Sequence, residues 1–210
     1  MFGDPEENTN GWKKVTVREA ITAGYIARPL DGNHGEKHPK GTDYVSSGVP
    51  FIMAQDLKEK RVDFHTCHFI TEQQAKTLKK GWAQAGDVLL THKGTIGRVA
   101  IVQDSQYDRM LLTPQITYYR CLRGIDREYL AAYFCTGYFI NQLEQMVTGT
   151  TRASVTITQQ EGLELIIPPI DMQRAFVEFV NQADKSKFEA KKALANLSEA
   201  QKSLIRYCGG

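Results

Sequence analysis

The sequence predicts an α+β protein in which a mixed globular domain is followed by one long helix. Over residues 1–170, short apolar and β-branched runs alternate with capped helical segments. Residues 171–207 contain neither glycine nor proline, and their apolar side chains recur at steps of three and four. We therefore expect a globular domain over residues 1–170 and a helix over residues 171–210.

The composition excludes several classes of protein. The chain has 210 residues, 41% hydrophobic and 24% charged, which is enough to bury a core. Its net charge of +2 excludes a histone-like polybasic protein, although a local basic patch remains possible. It has no run of 18 apolar residues, no signal-peptide pattern and no CxxC pair among its four cysteines. We expect a cytoplasmic protein without membrane contact, with reduced cysteines and without a cofactor.

The N-terminal part combines short elements with a long loop. Trp12–Ile21 begins with strand-like alternation and continues as a short helix that Gly24 ends. Residues 25–48 are rich in Gly, Pro, His and Lys, which predicts a loop, and loops this long are usually functional or disordered. Val49–Met53 is an apolar run of strand length, and Pro50 favours a sheet edge or the start of the strand.

The middle of the chain predicts one helix and three strands. Residues 71–80 begin with a capping box and predict a helix. Residues 86–91 and 98–102 predict two strands, and the glycine turn at residues 93–97 joins them as a hairpin. Residues 115–121 are rich in β-branched and aromatic side chains, which predicts a further strand.

The last part of the globular domain predicts two helices and one more strand. A helix over residues 126–135 has Asp126 as its N-cap, and a second helix covers residues 138–146. Thr158 begins another capping box, and residues 163–167 predict a strand that leads into the C-terminal helix.

The C-terminal helix carries an apolar stripe that its own chain cannot cover. At 1.5 Å per residue the helix is roughly 50 Å long, and no other segment predicts a helix of similar length. We therefore expect it to pack on a long helix of another subunit. The heptad seam consists of Phe176, Val180, Ala183, Ala190, Leu194, Leu197 and Leu204.

No catalytic signature is present in the sequence. It lacks a P-loop, a GxSxG motif and an HExxH motif. The glycine turn at residues 93–97 precedes a strand and not a helix, so it predicts a hairpin and not a phosphate cradle. Segment 65–68 (HTCH) could hold zinc if His34 and His38 lay close to it, and a half-exposed strand is the alternative.

Three polar loops, at residues 28–41, 91–98 and 148–154, carry the hydroxyl groups and cations that commonly contact DNA phosphates and base edges. Any solvated loop also carries Lys, Thr and His, so the alternative for each single residue is plain surface. The candidate DNA-binding residues are Arg28, Lys37, His38, Lys40, Thr91, Lys93, Thr95, Arg98, Thr150 and Arg152.

Several stretches together resemble the specificity subunit of type I restriction-modification enzymes. Residues 86–91 with the glycine turn 94–97 are the most characteristic part of the resemblance. The order and spacing of the motifs extend over nearly the whole chain. The other stretches are residues 11–15, 49–52 with 56–57, and 166–169 before the long helix.

The resemblance implies a DNA target recognition domain with a twisted-sheet or barrel-like core, followed by a spacer helix. In this family a subunit has two recognition domains and two antiparallel helices. Each domain recognises one half of a bipartite double-stranded target, and the helices dock methyltransferase subunits, which restriction subunits join later. The subunit has no catalysis of its own.

This chain has one domain and one helix, about half of such a subunit. The uncovered seam therefore favours an antiparallel homodimer. Two alternatives stay open. The chain could be an assembly partner that pairs its helix with a full-length specificity subunit, or a metal-dependent enzyme that uses segment 65–68.

Overall fold

The computed structural model describes residues 7–35, 38–147 and 153–208. The chain divides into two units, residues 1–170 and residues 171–210. The first unit is a mixed α/β domain built on three sheets, and the second is a long helix. The predicted fold class is therefore confirmed. No helix among the described residues is both long enough and apolar enough to cross a membrane.

Strands and helices alternate irregularly along the first unit. The strands are β1 (Lys13–Thr16), β2 (Leu30–Asp31), β3 (Val49–Ile52), β4 (Leu57–Lys58), β5 (Arg61–Val62), β6 (His68–Ile70), β7 (Trp82–Ala83), β8 (Val88–Lys93), β9 (Thr95–Ile101), β10 (Met110–Leu112), β11 (Ile116–Tyr119) and β12 (Glu164–Ile167). The helices are α1 (Val17–Thr22), α2 (Glu72–Ala75), α3 (Arg127–Phe134), α4 (Gly137–Gln145), α5 (Ile157–Gln160) and α6 (Ile170–Cys208).

The largest sheet contains the predicted hairpin. Its strand order is β2-β11-β8-β9-β5-β4, and β8 and β9 form an antiparallel pair joined at Gly94. Gly94 has a φ of +78°, a conformation that glycine adopts without strain, which explains the glycine in the turn. Val88, Leu89 and Leu90 are fully buried, so β8 lies in the core of the domain. The hairpin prediction is confirmed.

The second sheet has the strand order β6-β3-β10-β7. Strand β3 lies between β6 and β10, so the prediction that Pro50 places it at a sheet edge was wrong. The alternative, a position near the start of the strand, is confirmed. Strand β3 pairs with β10 only at Phe51 and Ile52, so the missing N–H of the proline lies before that ladder begins.

The third sheet joins the two ends of the first unit. Strand β1 pairs antiparallel with β12, with Lys13 opposite Ile167. Helix α3 fastens this sheet through its tyrosines, because the Tyr129 hydroxyl donates to the Ile166 carbonyl at 2.8 Å and Tyr133 donates to the Glu164 carbonyl at 3.1 Å. The strand that precedes the long helix is thereby fixed to the body of the domain.

Two predicted helix starts and ends differ from the structure. The helix predicted over residues 71–80 ends at Ala75, because the Asn33 side chain binds the N–H groups of Lys79 and Lys80 and holds them outside a helix. The capping box predicted at Thr158 was also wrong. Thr156 caps α5 and Gln159 closes that box, whereas the carboxylate of Glu161 binds two arginines.

A buried ion pair explains the aspartate of residues 86–91, the GDVLLT motif. The carboxylate of Asp87 is 1% exposed and binds the Arg120 guanidinium through two bonds of 2.8 Å. It also accepts the N–H of Gln84 at 2.9 Å and so closes the turn that begins β8. Asp87 therefore joins β8 to the end of β11 at the base of the hairpin.

The second unit consists of helix α6, which has 39 residues and is about 58 Å long at 1.5 Å per residue. Leu194 is 71% exposed and Leu197 is 68% exposed, so the second half of the predicted seam is open to solvent. Ala183 and Ala190 are also exposed, whereas Phe176 and Val180 are half-buried. The side chain of Leu204 lies outside the described part of the chain.

Candidate nucleic-acid interface

Two of the predicted loops meet at the turn of the hairpin. The N–H of Gly94 donates to the carbonyl of Ala153 at 3.0 Å, and the N–H of Val155 donates to the carbonyl of His92 at 2.9 Å. Lys93 and Ser154 form an antiparallel bridge between these two bonds. The described end of the loop predicted at residues 148–154 therefore runs along the hairpin turn like a short extra strand.

A buried polar network fixes this junction. His92 Nδ1 lies 2.8 Å from the Val155 carbonyl, and Gln160 Nε2 donates to the same carbonyl at 3.0 Å. Gln160 Nε2 also donates to Thr117 Oγ1 at 3.2 Å, and the Tyr119 hydroxyl donates to Gln160 Oε1 at 2.8 Å. All five residues are buried. A buried network that binds the Val155 carbonyl from two side chains favours one conformation, so Val155 has a defined place.

The third predicted loop, which starts near Arg28, reaches the same end of the large sheet. Strand β2 ends at Asp31, and its carboxylate binds Lys80 Nζ at 3.1 Å and His34 Nε2 at 2.5 Å. A Cβ on Gly32 would lie 2.0 Å from the Leu112 carbonyl oxygen, so only glycine fits between this loop and β10. The base of the loop is therefore held firmly.

Strand pairing brings these parts together, because β11 pairs with β2 at Asp31 and with β8 up to the residue before His92. Burial lowers the pKa of His92, while the hydrogen bond to Val155 and the nearby Asp31 carboxylate act in the opposite direction. The charges of His34 and Lys93 lower the pKa further. We call Asp31, His34, Lys80, His92 and Lys93 the hairpin-end cluster.

The hairpin-end cluster presents cations above a buried carboxylate. The side chains of Lys80 and His34 are about half exposed, and Lys93 is partly exposed beside the exposed Thr95. Lysine ammonium and threonine hydroxyl groups donate hydrogen bonds to phosphate oxygens, and imidazole can do the same. The arrangement is therefore suited to binding a polyanion.

Several predicted residues lie beside the cluster or away from it. Thr91 is fully buried, and its hydroxyl accepts the N–H of Arg98 at 2.9 Å, so it stabilises the hairpin and is closed to a ligand. The Arg98 guanidinium is exposed and donates to the Ala54 carbonyl at 3.2 Å. His38 lies near His34, and its pKa is lowered mainly by burial against its surroundings.

Arg28 and Lys40 are not part of the cluster. Arg28 forms an ion pair of 3.0 Å with Glu161, which also binds Arg18, and it lies towards the opposite end of β11. Lys40 is exposed, and its N–H donates to the Asp43 carboxylate. The predicted residues Lys37, Thr150 and Arg152 lie outside the residues that the structure describes.

Sequence reasoning did not single out three residues of the cluster. Lys80 belonged to a predicted helix, Asp31 to a predicted turn, and His92 to the polar loop predicted at residues 91–98. A histidine soon after the apolar run at residues 88–90 was the available signal, because buried polar side chains in strands need a partner.

The metal-site alternative gains no support from segment 65–68. Cys67 is buried, its pKa is raised to about 11 mainly by that burial, and its thiol donates to the Phe64 carbonyl. The ring of His68 stacks on Tyr44 at 4.2 Å, and His65 is exposed. Across residues 7–35, 38–147 and 153–208, no three His, Cys, Asp or Glu side chains are grouped to hold a metal ion.

The fold and the site now define the class of protein. The type I restriction modification DNA specificity domain family matches residues 11–199, and the chain therefore belongs to that family. The match covers both the mixed domain and most of the long helix. No curated protein matches the chain at a significant level.

Solved structures share this fold. The HsdS subunit from Thermoanaerobacter tengcongensis is similar with a TM-score of 0.64 and 18% identity, over 91% of this chain and 42% of that one. A chain from a study of complex assembly and conformational transition of the type I R-M system gives a TM-score of 0.65 and 18% identity, over 92% and 43%. The S subunit from M. genitalium is similar with a TM-score of 0.50 and 12% identity, over 85% of this chain and 40% of that one. The chain thus spans less than half the length of these proteins.

Proposed function

We propose that this chain is a DNA-specificity subunit of a type I restriction-modification system. Its first unit recognises one half of a bipartite double-stranded target, and its helix docks methyltransferase subunits, with restriction subunits joining through them. The subunit itself catalyses no reaction. The observation that carries the proposal is the family match over residues 11–199, which includes the mixed domain together with the helix.

The proposal includes an antiparallel homodimer through helix α6. The exposed seam around Leu194 and Leu197 supports it, because large apolar side chains on one helix face are stabilised by a partner helix. The chain also spans less than half the length of the structures that it resembles. Two-fold symmetry would make the target an inverted repeat with a gap between its halves.

The same exposed seam favours a second candidate. A chain with one helix could pair with the helices of a full-length specificity subunit and regulate its assembly. That pairing would produce a heteromer and leave no requirement for an inverted repeat. The DNA sequence recognised by the isolated chain therefore separates the two candidates.

Selection from a library of random double-stranded DNA tests the proposed function. We expect the purified chain to enrich a gapped inverted repeat, since each protomer of a two-fold dimer contacts an identical half-site. Adding a type I methyltransferase subunit should then give methylation of the enriched sequence. Enrichment of a single half-site would contradict the homodimer, and a chain that enriches no sequence would contradict DNA recognition.

The hairpin-end cluster is the proposed DNA-facing surface. Lys93 and Lys80 would bind backbone phosphates, and Thr95 beside the turn would lie nearest to the bases. Arg98, His38 and Lys40 would add contacts at the margins of this surface, whereas Arg28 lies away from it in an ion pair with Glu161. The position of Lys93 between the hairpin and segment 153–155 supports this proposal.

Replacing Lys93 with glutamine is expected to weaken binding to all DNA sequences and to reduce the salt dependence. Each lost phosphate contact lowers the slope of log K against log salt by about 1. Titrations of a labelled duplex at several salt concentrations measure this slope. The matched control is Lys60→Gln, because Lys60 binds Ile101 at the other end of the hairpin. Equal slopes for both variants would place the DNA elsewhere.

A further inference from the structure

His92 is a polar side chain buried near the end of β8. It follows Leu89 and Leu90 in β8 and is only 3% exposed. A shift of register between Leu90 and His92 marks a β-bulge, and bulges re-aim side chains. The bulge therefore accompanies the placement of an imidazole directly before the hairpin turn.

The hydrogen bonds of His92 define its protonation. The Val155 carbonyl can only accept, so Nδ1 carries the hydrogen and donates at 2.8 Å. Burial lowers the pKa of His92 and favours the neutral ring, in which Nε2 is an acceptor, and this atom is buried without a hydrogen-bond partner among the described residues. The ring is neutral in this arrangement, with Asp31 on β2, His34 in the following loop and Lys93 on β8 as its charged or titratable neighbours.

His92 holds both polar backbone groups of Val155. The His92 carbonyl accepts the Val155 N–H at 2.9 Å, while the His92 ring donates to the Val155 carbonyl. Gln160 binds the same carbonyl from its own side. The path of segment 153–155 along the turn thus depends on His92 and Gln160.

A purely structural role does not account for the choice of histidine. An unpaired buried ring nitrogen costs stability, and a leucine like Leu89 or Leu90 would fill the same volume without that cost. What a leucine could not do is donate a hydrogen bond to Val155. The histidine therefore serves the position of the segment and not the stability of the core.

We propose that His92 is a positioning residue that fixes segment 153–155 against the turn at Lys93–Thr95 and thereby sets the DNA sequence preference of this surface. This inference rests on the proposed function. His92 is buried and does not touch DNA. It acts through its bond to Val155.

Two amides at position 92 make a matched pair of variants. In His92→Asn the amide nitrogen stands as many bonds from Cβ as Nδ1 does, so it can donate to Val155. In His92→Gln the amide nitrogen corresponds to Nε2, so the bond to Val155 is lost. Both variants keep a neutral polar side chain, and the difference between them isolates the bond.

The probes are the duplex that the wild-type chain enriches from the random library and the same duplex with one base pair of the half-site exchanged. We expect the wild-type preference between them to fall about tenfold in His92→Gln, as for one lost base contact, and to stay within about threefold in His92→Asn. The salt slope should be the same for all three proteins, because no phosphate contact changes.

Amide hydrogen exchange at Val155 measures the positioning without DNA. Exchange should be faster in His92→Gln than in the wild type and close to wild type in His92→Asn. If His92→Gln and the wild type show equal preference between the two duplexes, this inference is overturned while the proposed function stands. Loss of the preference in both variants, or failure of both to fold, would overturn the inference as well. A wild-type chain that enriches no sequence would contradict the proposed function instead.

Discussion

Replacing Leu194 and Leu197 together with glutamate is expected to convert the proposed homodimer into monomers. A two-fold dimer loses four leucine side chains from its seam, which at about 1.5 kcal/mol each is about 6 kcal/mol and raises Kd more than 10⁴-fold. The four carboxylates would also lose hydration if the helices stayed paired. Size-exclusion chromatography with light scattering measures the mass at micromolar concentration.

Phe188 provides the matched control for the seam. It is 68% exposed, as Leu197 is, but it lies nine residues before Leu197, which is about two and a half turns of helix. It therefore lies on the opposite face of α6. Phe188→Glu should leave the dimer intact, and the first unit should stay folded in every variant. A dimer that survives the double change would show that the seam is not the interface.

Asp87→Ala is expected to lower the free energy of unfolding by about 3–5 kcal/mol, the range for breaking one partner of a buried ion pair. The change removes the two bonds that the Arg120 guanidinium donates to Asp87, and it opens the turn at Gln84. It also removes the link between β8 and β11 at the base of the hairpin. Urea unfolding followed by circular dichroism measures the loss.

Asp63→Ala is the control for the buried pair. Asp63 binds Lys58 at 2.9 Å, but the Lys58 side chain is half exposed, and ion pairs of this kind contribute about 1 kcal/mol or less. The two aspartates differ mainly in their burial. Similar losses for both variants would mean that Asp87 is in the GDVLLT motif for a reason other than stability.

The sequence predicted the elements whose signals are local. The glycine turn gave the β8–β9 hairpin, Asp126 marked the start of α3, and the spacing of apolar side chains gave helix α6. The motifs also predicted the family, and the family match over residues 11–199 confirms it. These features depend on residues a few positions apart, so a single stretch contains the whole signal.

Errors arose where distant residues decide the local structure. The helix predicted at residues 71–80 is short because Asn33 binds the chain at Lys79 and Lys80. The structure has a capping box at Thr156 and not at Thr158. Glu161 forms ion pairs with two arginines from the N-terminal part of the chain. In each case a tertiary hydrogen bond or ion pair outweighs a weak local preference.

What the sequence by itself determined is the class of fold, the hairpin and the apolar seam, because periodicity along one segment is enough to specify them. Only the tertiary structure decided that Asp31, Lys80, His92 and Val155 meet at one end of the large sheet. Those residues come from four separate segments, and no spacing in the sequence records their approach. Strand pairing and burial bring them together. Burial also keeps the His92 ring neutral, and its Nδ1 donates to the Val155 carbonyl.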